Sequence, residues 1–194
     1  MTDLHDIGAV QKRPGMYVGP TDDGTGVHNM VYEVVGNAIN EALAGHATRI
    51  TVRLNRDGSC TVQDDGRGLA TDIHPGLGIS IAEAAMTKLH AGLGEYPPNG
   101  YVGVGLCVVN ALSQRLELRI WRDGMEHQMR FSAGEIDTPL RGVGDANTRR
   151  GTEITFLPSP KFFTETAFTA ARIDIRLREL ASQYGVPIHF SSIE

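Results

Sequence analysis

Between residues 28 and 45, apolar side chains recur at helical spacing, which predicts one long amphipathic helix that ends at Gly45. The positions that would face a core are Val31, Val34, Val35, Ala38 and Ala42. The opposite stripe contains no lysine or arginine and consists of Glu33, Asn37, Asn40 and Glu41. Short polar groups without counter-charge are typical of a functional site, but a solvated surface helix explains this stripe about as well.

Alternating apolar and polar residues predict two β-hairpins. Residues 49–54 and 59–63 flank an Asn-Arg-Asp-Gly turn, and residues 116–121 and 126–131 flank an Arg-Asp-Gly turn. Further strands are expected at residues 152–156 and 186–190, and further helices at residues 4–10, 79–89, 106–112 and 164–184. Thr25 or Asn29 is expected to cap the long helix, residues 12–19 to form a turn and an extended segment, and residues 134–150 to form a loop.

Hairpins require antiparallel pairing, so this order of elements does not fit a strict βαβ alternation. We therefore expect an α+β fold: a two-layer sandwich with one mixed, mostly antiparallel sheet and helices on one face. The chain has 194 residues, contains no repeat and no interior linker, and is expected to be a single domain spanning residues 1–194.

Composition narrows the classes of function. A net charge of -5 argues against a nucleic-acid surface as the main role of this chain. No apolar stretch is long enough to span a membrane, and the first residues lack the basic start and apolar run of a signal peptide. Cys60 and Cys107 have no metal-ligand spacing, so a reduced cytoplasmic protein is expected.

The sharpest local motif is Asp64-Asp65-Gly66-Arg67-Gly68, which directly follows a predicted strand. A carboxylate at a strand end, followed by glycines that let the backbone approach a ligand, suits recognition of a donor such as an exocyclic amine. Taken alone, the motif is more often an ordinary Asp-Gly turn.

A second motif, Gly100-Tyr101-Val102-Gly103-Val104-Gly105, precedes a predicted helix and could present backbone amides to phosphate. It is not a P-loop, because no Gly-Lys-Ser/Thr follows. It is not a dinucleotide fingerprint either, because no strand leads directly into it.

In order along the chain, Glu33 with Asn37, then Asp64-x-Gly66-x-Gly68, then Gly103-x-Gly105 resemble the ATP-binding boxes of the GHKL superfamily. Stretches at residues 13–19, 37–45, 63–68, 73–75, 89–92 and 108–113 resemble the N-terminal ATPase domains of the B subunits of bacterial DNA gyrase and topoisomerase IV. The resemblance covers nearly the whole chain and leaves gyrase and topoisomerase IV both open. It implies an α+β sandwich that binds ATP and Mg²⁺.

The resemblance also implies roles for individual residues. Glu33 would be the general base that activates water, and Asn37 would bind Mg²⁺. Asp64 would accept the adenine amine with the help of Thr152, and Gly68 and Leu69 would line the adenine pocket. The phosphates would be cradled by Gly103, Val104 and Gly105. At the pocket mouth, Glu41 and Arg67 would pair, and inhibitors of the aminocoumarin type would be contacted there by residues among Arg67, Ala70 and Arg122.

In the full enzyme, such a domain would work with DNA and with the A subunit of gyrase or of topoisomerase IV, using ATP hydrolysis to drive strand passage in the bacterial cytoplasm. This chain departs from the family pattern at Gly36 and Asn40, where an Asp is usual, at Ala70, where a Pro is usual, and at Tyr101-Val102, where Leu-His is usual. Residues 91–103 are expected to be an ATP lid, shortened and without the family's lid lysine.

These departures keep a second class of function open, namely a nucleotide- or drug-binding module with little turnover. A histidine-kinase ATPase domain is a third reading, disfavoured because no dimerisation helix with a phospho-accepting His precedes the domain.

The chain as given is expected to be a monomer that binds adenine-site inhibitors better than it hydrolyses ATP. The family's dimer arm before Leu4, its full lid and the lysine of its second domain are all missing from this sequence. Losing one preorganised donor to a developing charge typically costs about 10²–10³ in rate. Light scattering and a phosphate-release assay check this prediction, and a dimer with fast turnover would contradict it.

Overall fold

The computed structural model describes residues 5–89 and 97–193. The helices in this part of the chain are α1 (His5–Lys12), α2 (Gly15–Val18), α3 (Thr25–Leu43), α4 (Ile81–Thr87), α5 (Leu106–Ala111) and α6 (Ala170–Tyr184). The strands are β1 (Ile50–Leu54), β2 (Cys60–Asp64), β3 (Ser113–Arg122), β4 (Met125–Ser132), β5 (Glu135–Asp145), β6 (Gly151–Pro158) and β7 (Ile188–Ser192).

The seven strands form one sheet in the order β5-β4-β3-β6-β2-β1-β7. Every neighbouring pair is antiparallel except β1 and β7, which run parallel. The predicted α+β class, with a mixed and mostly antiparallel sheet, is confirmed.

The register of the strands separates an apolar face of the sheet from a polar face. One row of paired residues crosses five strands and is fully buried: Val52, Val62, Ile154, Leu118 and Met129. The adjacent row points to the opposite face and is polar: Arg53, Thr61, Thr155, Glu117 and Arg130. Because side chains alternate along a strand, the helices cover the apolar face and leave the polar face to water.

Helix α3 lies against β1, β2 and β6 and is central to the core. Its buried side chains include Met30, Val31, Val34, Val35 and Ile39. Burying each such side chain is worth roughly 1.5–3 kcal/mol, so the apolar stripe holds the helix firmly against the sheet. The polar stripe of α3 is thereby turned away from the sheet and towards the loops that follow β2 and precede α5.

Several predictions about elements were wrong; one is the start of α6, which begins at Ala170 and not at residue 164. Residues 135–145 lie in the stretch 134–150 that is expected as a loop, but they form the edge strand β5, which contains Pro139, Gly142 and Gly144. Pro and Gly are tolerated at an edge, where one side of the strand needs no partner, and the ladder with β4 is interrupted at several positions. Residues 15–18, expected as extended, form α2, whose preceding residue Pro14 already has the helical φ that proline favours.

Another wrong prediction concerns the start of α3. Neither Thr25 nor Asn29 caps it; Gly24 does, in a left-handed conformation with φ of 78°. Asn29 instead donates from Nδ2 to the Val18 carbonyl at 2.9 Å and ties α3 to α2. At the other end, Ala44 and Gly45 follow the helix as expected, with φ of 81° at Gly45.

Within the described residues, no helix combines the length and the apolar character needed to cross a membrane.

Candidate functional site

The site begins with Asp64, the last residue of β2. Its side chain is buried, and Oδ1 accepts hydrogen bonds from the Gly66 N–H at 2.8 Å and the Thr152 N–H at 3.4 Å. Oδ2 accepts no hydrogen bond from another described residue, so it is available to an incoming donor. Burial, reinforced by the nearby Glu41 carboxylate, raises the pKa of Asp64 to about 7.

The loop after Asp64 depends on close backbone approaches. Gly68 has φ of 79°, and a Cβ there would lie 2.9 Å from Ile120 Cγ2 and 3.0 Å from the carbonyl oxygens of Trp121 and Gly151. A side chain would therefore collide with rigid backbone as well as strain the residue, so glycine is required here. Arg122 donates from Nη1 to the Gly68 carbonyl at 2.9 Å and secures the loop against β3.

Thr152 on β6 joins this loop to the sheet. Its Oγ1 accepts from the Leu69 N–H at 3.0 Å, while its own N–H faces Asp64. The structure thus brings Asp64, Gly68, Leu69, Thr152 and Arg122 together at one end of the site. Ala70 is less closely involved, because its carbonyl accepts from the Ala82 N–H of α4 at 2.9 Å.

Glu41 on α3 and Arg67 form a bidentate ion pair at the surface. Arg67 donates from Nε to Oε1 at 3.0 Å and from Nη2 to Oε2 at 3.1 Å, and its backbone N–H also donates to Oε1 at 2.8 Å. Burial raises the pKa of Glu41, but the Arg67 hydrogen bonds outweigh it and leave the pKa below the ordinary value. The pairing expected for these residues is present.

Replacing Arg67 with methionine should lower the free energy of unfolding by no more than about 1 kcal/mol, because exposed ion pairs are worth little. The Arg67 side chain is 53% exposed, so solvent and salt screen the pair. Urea denaturation measures the effect, and Arg115→Met, which removes the exposed pair with Asp57, is a matched control. A loss above about 2 kcal/mol in Arg67→Met alone would show that the pair holds the loop more strongly than its exposure implies.

At the other end of the site, the Glu33 carboxylate is held by two backbone amides. Oε2 accepts from the Val104 N–H at 2.8 Å and the Gly105 N–H at 3.1 Å, and Oε1 accepts from the Tyr101 hydroxyl at 3.2 Å. A Cβ at Gly103 would overlap this carboxylate, which explains the need for glycine. Burial raises the pKa of Glu33, and the three donors offset only part of the rise.

Adjacent backbone amides that hold one carboxylate can also hold an oxygen of another anion. The segment 103–105 is therefore an anion-binding turn, and in this structure the anion is the chain's own Glu33. Asn37 lies one helical turn after Glu33, is half-buried, and makes no side-chain hydrogen bond to another described residue. Its carboxamide oxygen is a hard ligand of the type that Mg²⁺ prefers.

Residues 22–161 match the family described as histidine kinase-, DNA gyrase B-, and HSP90-like ATPase. The matched span includes every residue of the site described above. The chain belongs to this ATPase family.

The relatives of the chain within the ATPase family include several gyrase B proteins. It is 52% identical over 204 residues to the B subunit of DNA gyrase from Caulobacter vibrioides, and the match covers 96% of this chain and 25% of that protein. The B subunit of DNA gyrase from Rickettsia bellii is 52% identical over 184 residues, covering 92% of this chain and 23% of that protein. The chain thus spans about a quarter of the length of these curated relatives.

A solved structure of the same ATPase family has a closely similar fold. The 43K ATPase domain of Thermus thermophilus gyrase B, in complex with an aminocoumarin, matches with a TM-score of 0.86 and 41% identity. The match covers 96% of this chain and 48% of that one. The predicted resemblance to the gyrase B type of ATPase is therefore confirmed.

Two residues of the site make contacts that were not predicted from the sequence. Arg150 donates from Nε to the Gly66 carbonyl at 3.0 Å and from Nη2 to the His46 carbonyl at 2.9 Å, bracing the Asp64 loop from outside. Tyr101 belongs to the predicted glycine motif, but the contact of its hydroxyl with Glu33 is not predicted from the sequence. The position of Arg150 just before Gly151-Thr152 was the only sequence signal for its role.

The structure describes only part of the segment that is predicted to be the ATP lid. Residues 91–96 of the expected lid lie outside the described residues, and residues 97–103 run to the anion-binding turn. Within the described ranges, no group of three or more His, Cys, Asp or Glu is arranged to hold a metal ion.

Proposed function

We propose that this chain binds ATP, with the adenine at Asp64 and the phosphates at Val104 and Gly105, and that it hydrolyses ATP with Glu33 as the general base. The strongest support for ATP binding is the chemistry of the groups at the two ends of the site. One end offers a buried carboxylate oxygen to an amine donor, and the other offers a pair of amides to an anion. A purine nucleotide with a phosphate chain has the matching groups at its two ends.

Asn37 fits a role in holding Mg²⁺. Its carboxamide has no partner among the described residues, and its neighbour one turn earlier is a carboxylate. When bound, Mg²⁺ would neutralise charge on the phosphate oxygens. The contribution of this chain is to present one oxygen ligand from a rigid helix.

Glu33 can act as a base only after a rearrangement. Its Oε2 occupies the same two amides that the phosphates of ATP would use. We infer that phosphate binding displaces Oε2 from Val104 and Gly105, which frees that oxygen to accept a proton from the attacking water. The raised pKa of Glu33 suits a proton acceptor, because a carboxylate of ordinary pKa is a weak base.

For the whole protein, we propose a gyrase-type topoisomerase in which ATP hydrolysis by this domain drives DNA strand passage together with the A subunit of the enzyme. The named relatives at 45–52% identity are gyrase B proteins, which favours gyrase over topoisomerase IV. Aminocoumarin binding at the pocket mouth, with Arg67 and Arg122 as contacts, is supported by the aminocoumarin complex of the Thermus thermophilus relative.

Calorimetry with a non-hydrolysable ATP analogue, with and without Mg²⁺, tests the proposal. We expect one analogue to bind per chain, Mg²⁺ to tighten binding, and an aminocoumarin to compete. Absence of binding under these conditions would contradict the proposal.

A second candidate function, a nucleotide-binding module with little turnover, is favoured by the donors that occupy both oxygens of Glu33. A phosphate-release assay separates the two functions.

A further inference from the structure

Tyr101 is tied to helix α3 by both of its backbone polar groups. Its N–H donates to Asn40 Oδ1 at 2.7 Å, and its carbonyl accepts from Asn40 Nδ2 at 2.8 Å. Only a carboxamide offers a donor and an acceptor side by side, whereas the carboxylate of an aspartate at this position would face the Tyr101 carbonyl with a second acceptor. Asn40 therefore fixes where the backbone of residue 101 crosses the helix.

The ring of Tyr101 lies over Gly36. A Cβ at position 36 would overlap three atoms of the ring, so the absence of a side chain there creates the space that the ring fills. Glycine inside a helix costs about 1 kcal/mol relative to alanine, and packing of an aromatic ring is a gain of similar size that can offset it. The ring also lies near that of Tyr184 of α6, with the ring centroids 6.4 Å apart.

With its backbone and ring held, Tyr101 directs its hydroxyl at Glu33 Oε1, at 3.2 Å. Burial and the adjacent Glu33 carboxylate raise the pKa of the phenol, so it remains a protonated donor at every physiological pH. The hydroxyl contacts the oxygen of Glu33 that is not bound by the Val104 and Gly105 amides. Different groups therefore hold the two oxygens of the carboxylate: the Tyr101 hydroxyl holds Oε1, and the backbone amides hold Oε2.

The structure brings Tyr101 together with Gly36 and Asn40 of α3. Gly36 makes room for the ring, Asn40 fixes the backbone, and the hydroxyl reaches Glu33. The three residues therefore form one local arrangement next to Glu33.

We propose that Tyr101 is a positioning residue for Glu33: its hydroxyl retains Oε1 when phosphates displace Oε2 from the amides, and so keeps the carboxylate aimed at the attacking water. This inference rests on the proposed function of Glu33 as the base. Among the described residues, Tyr101 makes no hydrogen bond to the adenine end of the site, so we expect a large effect on the hydrolytic step and only a small one on nucleotide affinity.

The variant Tyr101→Phe tests the role of the hydroxyl, because it keeps the ring over Gly36 and both hydrogen bonds to Asn40. Single-turnover hydrolysis of radiolabelled ATP by excess protein measures the chemical step even when turnover is slow. We expect the rate to fall about 10- to 100-fold, since small displacements of a catalytic group have effects of this size. Affinity for the non-hydrolysable analogue should stay within about twofold of the parent, because positioning the base is distinct from uniform binding.

Tyr17→Phe removes a hydroxyl from another partly buried tyrosine, on α2, and serves as the control; we expect the parental rate. An unchanged rate in Tyr101→Phe, or an equal loss of rate and of analogue affinity, would overturn the proposal. A parental rate in Glu33→Gln would instead overturn the proposed function, so the two failures are distinguishable.

A readout independent of hydrolysis keeps the proposal testable if the parent turns over too slowly. The amide proton resonances of Val104 and Gly105 report their hydrogen bonds to Glu33 in the nucleotide-free chain. We expect both resonances to shift in Tyr101→Phe, because the carboxylate loses its second anchor, and to stay in place in Tyr17→Phe. Gly36→Ala, which displaces the ring, should shift them in the same sense; unshifted resonances in Tyr101→Phe would overturn the proposal.

Discussion

Replacing Glu33 with glutamine is expected to lower the single-turnover rate of ATP hydrolysis by about 10²- to 10⁴-fold, the usual contribution of a general base. Glutamine has nearly the same shape and can still accept from the Val104 and Gly105 amides, but it cannot take a proton from water. Nucleotide binding should persist. We expect it to tighten, because a neutral amide competes less well than a carboxylate for the amides that the phosphates use.

The rate and the affinity of Glu33→Gln are measured by single-turnover hydrolysis and by calorimetry with the non-hydrolysable analogue. Glu83→Gln is a matched control, because Glu83 is a half-buried glutamate on α4 whose pKa is also raised by burial. We expect the parental rate and affinity in this control. Hydrolysis at the parental rate in Glu33→Gln would rule out Glu33 as the base.

The second large effect is expected in Asp64→Asn, which should weaken binding of the analogue by about 10- to 100-fold at pH 8. A hydrogen bond to a charged acceptor in a site of this kind is worth roughly 1.5–3 kcal/mol, which corresponds to that range of affinity. Asparagine at position 64 can keep the hydrogen bond from the Gly66 N–H through Oδ1, but it then turns an NH₂ donor towards the adenine amine, which is also a donor.

The pH dependence of binding provides an independent check. With its pKa raised to about 7, Asp64 is half protonated at neutral pH in the free chain, and only the ionised form accepts from an amine in the proposed way. Affinity of the parent should therefore rise from pH 6 to pH 8, by up to about tenfold per unit below the pKa. Calorimetry across this range should find little of this slope in Asp64→Asn.

The contribution of Asp64 to the stability of the fold should fall with rising pH, whereas its contribution to affinity rises. Because folding raises the pKa of Asp64 above its ordinary value of 3.8, the contribution of this group to stability is full below that value and is lost as pH rises through about 7. An uncharged carboxamide at position 64 escapes this loss, so Asp64→Asn should be at least as stable as the parent at pH 8. Thermal unfolding at pH 5 and pH 8 measures the difference.

The neighbouring carboxylate supplies the control for Asp64→Asn. Asp65 accepts hydrogen bonds from the Thr48 and Arg49 amides, and although burial raises the pKa of Asp65, these bonds outweigh it and lower the pKa overall. Asp65→Asn should therefore destabilise the chain at pH 8 and leave analogue affinity unchanged. Unchanged affinity in Asp64→Asn, or an affinity loss of equal size in Asp65→Asn, would contradict the assignment of Asp64 to the adenine.

Local sequence patterns predicted most of the framework. The helical spacing of apolar residues located α3 and its buried face, and Asp-Gly turns located the hairpins β1–β2 and β3–β4. These features depend on neighbours within a few residues, so the periods of helices and strands carry them directly. Strand β5 escaped prediction because Pro139 and its glycines imitate a loop, and only the partner strand β4 stabilises the extended form.

In the candidate site, too, some features follow from local sequence and others only from the tertiary structure. The sequence determined by itself that Glu33, Asn37 and Glu41 share one face of a helix and that Asp64 ends a strand, because both follow from local geometry. Only the tertiary structure decided what these groups contact. Asn40 and Tyr101 are 61 residues apart, and nothing local indicates that they pair. Gly36 stood out in the sequence only as a costly glycine within a helix, because the ring that needs its space comes from a distant loop and depends on packing of the whole chain.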